Sequence, residues 1–230
     1  MCNDNETELN SIKDYLNILS QRIMALGDII SSCKIIFSYL DEREKCSDIN
    51  KEKVSSIRSK DILLNHYLER LIDSLLIRFR IFFDQNKHNP ISFVNLLQIL
   101  KKNSYHFSKE YYFKQCSSST LPMNITKKWS EEWYDEKFPN GLTERIDQDK
   151  KYIRNKTKDI DLYINKRIAH LDTINTPQIE MTIENLIGLA EELIERFNIY
   201  YTLLTGTSCP HQQVNTCFEP ILLKSYFEKS

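Results

Sequence analysis

Apolar residues recur every three or four positions through residues 6–40, at Ile12, Leu16, Leu19, Ile23, Leu26 and Ile30. That period turns one stripe of a helix toward a core and predicts a single long amphipathic α-helix. Asp41 to Lys60 is dominated by charged and hydroxyl side chains, which predicts a connection with a short helix around Val54. From Asp61, a residue type suited to capping, the spacing resumes at Leu64, Leu68, Leu71, Leu75 and Phe79. A second long helix is expected there, ending near Asp84. Asn89-Pro90 interrupts the pattern, because proline has no N–H to donate. Ser92 then stands where it can cap a shorter helix ending near Lys102.

Residues 104–124 gather Tyr105, Phe107, Tyr111, Tyr112 and Phe113 before the run Cys116-Ser117-Ser118-Ser119-Thr120, which reads as a short helix and an exposed loop. Another short helix carries Trp129, Trp133 and Tyr134 as far as the turn Pro139-Asn140-Gly141. Such aromatics either pack a bundle or an oligomer interface, or stack on bases, and packing is the commoner use. A long helix is expected from Leu142 to His170 and, beyond Pro177, a closing helix over about 182–204. The tail from Thr207 contains Pro210 and Pro220, with a small helix expected near Leu222. Only four glycines and six prolines punctuate 230 residues, so long uninterrupted helices follow. The expected fold class is all-α, a bundle of long antiparallel helices.

The formal net charge is −1, so any attraction for a polyanion must be local. It concentrates between Lys150 and His170, where Lys150, Lys151, Arg154, Lys156, Lys158, Lys166 and Arg167 face only Asp159 and Asp161. The closing helix carries Glu180, Glu184, Glu191, Glu192 and Glu195 against Arg196. Two readings follow: the helices pair through complementary faces, or the basic one presents a phosphate-binding surface. Arg78 and Arg80 interrupt the most apolar stretch, so no run approaches a bilayer span. The start, Met1-Cys2-Asn3-Asp4-Asn5-Glu6, lacks the basic and apolar regions of an export signal. A soluble cytoplasmic protein is expected. Six scattered cysteines without a Cys-x-x-Cys pair suit reduced thiols rather than a disulfide framework. Cys209-Pro210-His211 with Cys217 matches no zinc module, and no Gly-rich phosphate loop or Ser-His-Asp order occurs. No metal and no cofactor is expected.

Chemistry is suggested at Tyr163-Ile164-Asn165-Lys166-Arg167-Ile168-Ala169-His170-Leu171-Asp172. A histidine closing a helix sits near the negative end of the macrodipole, and Lys166 and Arg167 lie four and three positions earlier on the same face. These three can meet one phosphate. The stretch resembles the HEPN superfamily, in its abortive-infection AbiU-type branch, whose members often read Arg-Asp-Lys-x-x-Ala-His followed by an acidic residue. Asn165, Lys166, Ala169, His170 and Asp172 fit that pattern, and Ile164 stands at the arginine position. Ile77-Arg78-Phe79-Arg80-Ile81-Phe82-Phe83-Asp84 with Pro90-Ile91-Ser92-Phe93-Val94-Asn95-Leu96-Leu97 is similar to a second region of the branch, and Thr182 to Gly206 to its closing helix. The resemblance thus covers residues 60–206 as a HEPN-like helical domain, preceded by a helix and charged connection over 1–59 and followed by a tail over 207–230.

The resemblance implies a homodimer whose paired helices line one cleft, and metal-independent cleavage of RNA there. His170 would be the general acid/base, an imidazole with an ordinary pKa of about 6.5 having both protonation states accessible near neutrality. Asn165 would donate to the phosphate, and Arg167, whose planar fork holds two oxygens, would replace the missing arginine. Lys166, Arg78, Arg80, Lys150, Lys151 and Arg154 would bind substrate. The implied setting is defence or a toxin-antitoxin-like pairing, with an antitoxin-like protein partner. Structural alternatives stand beside each role. His170 can cap its own helix or pair with Asp172. Ile164, in register with Ile160 and Ile168, can belong to a core stripe, and Arg78 or Arg80 can pair with Asp84. With Ile164 at the arginine position the chain can be a degenerate relative of the ribonucleases, and the bundle as a whole can be a non-catalytic dimerisation or binding module.

Overall fold

The computed structural model describes residues 2–47, 54–85, 91–117, 122–169 and 182–209, with their side chains except those at 2–8, 39–47, 54–65, 68, 162–163 and 165–169. Over these residues the chain is all-helical, as the hydrophobic pattern predicts. The elements are α1 (Cys2–Ser47), α2 (Val54–Phe83), α3 (Phe93–Lys102), a 3-10 turn (Ser104–His106), α4 (Lys109–Cys116), α5 (Met123–Lys137), α6 (Leu142–Ala169) and α7 (Ile183–Thr205). The α1 stripe is the core one: Ile12, Leu16, Leu19, Ile23, Leu26 and Ile30 are each no more than 4 % exposed. Two boundaries differ from expectation. Helix α1 extends to Ser47, and α2 begins at Val54, so Asp61 lies inside a helix instead of capping one. The run from Ser55 to Lys60 is polar but holds no glycine or proline, and polarity alone does not stop a helix.

Two compact units divide the chain, one comprising Met1–Ile23 with Phe79–Cys209 and the other Met24–Arg78 with Pro210–Ser230. In the second, Leu26, Ile30, Cys33 and Ile36 of α1 and Leu75 and Leu76 of α2 are buried. The first holds the remaining described helices. There α6 packs against α3 and α7, and α4 against α5 and α7. Its core is a run of aromatic edge contacts: Phe82 meets Phe93 at 6.4 Å, and Phe93 meets Phe197 at 5.7 Å and Tyr200 at 5.8 Å. Each such ring removed from water contributes roughly 1.5–3 kcal/mol. The aromatics between 105 and 134 mostly pack as well. Tyr112 lies 4.3 Å from Trp133, and the buried Tyr134 hydroxyl donates to the Phe107 carbonyl at 2.9 Å. Tyr105 and Trp129 remain exposed.

Polar anchors fix the entry and exit of these helices. Ser92 caps α3, its hydroxyl accepting from the Asn95 N–H at 3.3 Å. The Tyr15 hydroxyl accepts from the Ser92 N–H at 2.7 Å and donates to the Ser92 carbonyl at 3.0 Å, while Arg22 donates to the Ile91 carbonyl at 3.1 Å. Thr182 caps α7, and Gly206 ends it at φ +73°. A Cβ on Gly206 would lie 2.6 Å from the Gln115 carbonyl oxygen, so both the left-handed backbone and the close approach to α4 require glycine.

Candidate anion-binding groove

Helix α6 has three working faces. Leu142, Ile146, Asp149, Ile153, Thr157, Ile160 and Ile164 form its buried stripe, spaced by three or four residues as a core-facing row must be. Asp147 faces α3 and accepts from Lys101 Nζ at 2.6 Å. The remaining face opens onto a groove of about 1060 Å³.

Among the described residues the α6 wall of this groove presents Lys150, Lys151, Arg154, Asn155, Lys158 and Asp161, with Ile153 and Thr157 at its base. The opposite wall is the end of α2, with Arg80, Phe83, Asp84 and Gln85, and α3 adds Val94 and Gln98. Local geometry explains the gathering. Positions 80, 83 and 84, spaced i, i+3 and i+4, form one cluster flanking the face on which Phe79 and Phe82 are fully buried. Lys150, Arg154 and Lys158 follow each other at i, i+4 and i+8, one row rising about 6 Å per step. Five basic side chains and two carboxylates thus line one groove. Lys150, Lys151, Arg154 and Lys158 have no ion-pair or hydrogen-bond partner among the described residues.

The contact between α6 and α7 runs the other way from the one their charges suggest. The buried Asp149 carboxylate of α6 accepts from Arg145 Nε at 2.9 Å, from the Tyr200 hydroxyl at 2.8 Å, and from Arg196 of α7. The Arg196 guanidinium lies 3.7 Å over the Tyr152 ring, whose hydroxyl is bonded to Glu192. Burial and then the adjacent Asp149 charge push the Tyr200 phenol well above its ordinary pKa. Burial, followed by the bond to Glu192, raises Tyr152 as well. Among the described residues, the ion pair across the helices thus has the opposite polarity, joining an aspartate of α6 to an arginine of α7. Of the seven cations counted in the sequence, Lys150, Lys151, Arg154 and Lys158 line the groove and Lys156 lies over the Tyr152 ring, while the side chains of Lys166 and Arg167 lie outside the described residues.

Of the residues singled out in the sequence, Arg80, Lys150, Lys151 and Arg154 come together in the groove. Arg78 is exposed on α2 in the other compact unit. Asn165, Lys166 and Arg167 fall near the end of the α6 backbone, but their side chains lie outside the described residues, as does all of His170. Ile164 is 1 % exposed and Ile160 equally so, which places both in the core stripe. Cys209 is buried and its N–H donates to Asn198 Oδ1 at 2.7 Å, while His211 and Cys217 lie outside the described residues. Lys158 belongs to the basic run of the sequence without a site role, although its four-residue step from Arg154 puts it in the same row. Phe83, Gln98 and Asn155 carry no charge signal by which the sequence could mark them as groove residues. No helix among the described residues is long and apolar enough to cross a membrane. Compared with protein-family models, with curated proteins and with solved structures, the chain matches none.

Proposed function

We propose that this protein is an RNA-directed, metal-independent endoribonuclease of the HEPN type, holding the RNA backbone in the α2–α3–α6 groove and acting in the cytoplasm. One observation carries the reading: Lys150, Lys151, Arg154 and Lys158 line a single groove, outnumber its two carboxylates, and none of the four makes an ion pair or hydrogen bond with a described residue. Cations left unpaired on one face bind phosphates and release their counterions, and that release supplies much of the affinity for nucleic acid. The resemblance supplies the chemistry. The ribose 2′-oxygen attacks the adjacent phosphorus, the 5′-oxygen leaves, and His170 carries the proton from one oxygen to the other, giving a 2′,3′-cyclic phosphate. Arg167 and Asn165 stabilise the charge gathering on the non-bridging oxygens. The same resemblance supplies a homodimer that shares the cleft and an antitoxin-like partner.

A second reading, a non-catalytic binding and dimerisation module, is favoured by Ile164. At 1 % exposure the motif's arginine position contributes no charge to a cleft. Binding and cutting are tested separately. Reversing Lys150, Lys151 and Arg154 to glutamate should weaken RNA binding and flatten the plot of log affinity against log salt by about 2, at about 0.7 per phosphate contact on a single strand. Unchanged affinity and slope would remove the groove from the function. Cleavage should persist in EDTA, leave cyclic phosphate ends and vanish in His170→Ala; RNA bound but never cut selects the binding module.

A further inference from the structure

Phe83 is the one aromatic residue lining the groove, and a phosphate does not call for a ring. Its neighbours Phe79 and Phe82 are fully buried in the core, and Phe79 packs edge-on to Phe82 at 5.5 Å. Phe83 instead turns into the groove, only half-buried, one helical turn from Arg80. It makes no ring contact with another aromatic among the described residues. The exposed amides of Gln98 and Asn155 line the same groove from α3 and α6. A π face, a row of cations and side-chain amides are the three parts of a site for unpaired bases. The ring stacks, the cations track the backbone, and the amides reach base edges.

We infer that the groove takes a single-stranded segment, with one base stacked on Phe83 while the flanking phosphates meet Lys150, Arg154 and Lys158. This rests on the RNA reading above and deepens it by naming the form of the substrate. A duplex keeps its base faces covered by their neighbours, so it can use the cations but not the ring. Stacking tolerates any base, and Phe83 therefore selects for strandedness while Gln98 and Asn155 tune preference among bases.

The test measures binding of three probes to the full chain at fixed salt: a six-nucleotide single-stranded RNA, the same sequence as a duplex, and inorganic polyphosphate of matched charge. Phe83→Leu keeps apolar bulk and removes the π face, and Phe83→Trp restores it. Phe83→Leu should weaken the single strand by about tenfold, leave polyphosphate unchanged, and leave the urea midpoint within error. Phe83→Trp should bind the single strand at least as well as the wild type. Single-strand affinity unchanged in Phe83→Leu, an equal loss for polyphosphate, or wild-type binding of the duplex as tight as of the single strand each overturns the inference. If single strand and polyphosphate bind through Lys150 and Arg154 yet ignore Phe83, the stacking inference alone falls. If the wild type binds neither probe, the RNA reading falls and takes the inference with it.

Discussion

Ile164, which takes the place of the motif arginine under the proposed HEPN-type reading, has its side chain in the core at 1 % exposure. Ile164→Arg would put a guanidinium into the buried stripe that Ile160 also occupies. A buried unpaired charge costs several kcal/mol, so the substitution should lower stability by about 3–5 kcal/mol. Urea unfolding followed by circular dichroism would read this directly. A variant as stable as the parent would mean that the position opens to solvent. The four-residue step from Ile160 to Ile164 already points to a core stripe in the sequence. Which polar positions one turn away share a groove is not legible there, because that depends on α2 and α3, far along the chain.

Helix α6 illustrates why charge counts along a sequence mislead about contacts. Its basic residues and the glutamates of α7 suggest two complementary faces. Yet the face turned toward α7 is chosen by apolar spacing, and Asp149 sits on that stripe between Ile146 and Ile153. The signal is present as an acid at a core position, which is rare unless the acid is paired. Asp149 serves Arg145, Arg196 and Tyr200 together, and its loss strands two half-buried guanidinium groups. Asp149→Ala should therefore destabilise by about 3–5 kcal/mol, seen as a lower urea midpoint with unchanged slope. A shift below about 1 kcal/mol, the scale of an exposed pair, would show that water reaches the cluster. The Ser92 cap is, by contrast, legible outright, since it needs only a hydroxyl beside the first turn.

At the scale of the whole molecule, the class of fold is readable from apolar period and scarce glycine, whereas the depth of its tyrosines is not. Burial pushes Tyr111 up to about 12 and raises Tyr112, Tyr134 and Tyr200 as well. A phenol whose pKa is raised by folding contributes stability that is complete below its unfolded value of 10.0. That contribution is lost as pH climbs toward the folded value, because the unfolded chain releases the proton first. The urea midpoint should fall between pH 10 and 12, and fall less in Tyr111→Phe; an equal fall in both proteins would assign the loss to other groups. The division of labour on α6 has one more consequence, for how such a chain can change over generations. The side that meets α7 is bound into a shared carboxylate and tolerates little. The groove side carries Lys150, Lys151, Arg154 and Lys158, which support no described neighbour. Substitutions there can accumulate without the fold having to be repaired each time.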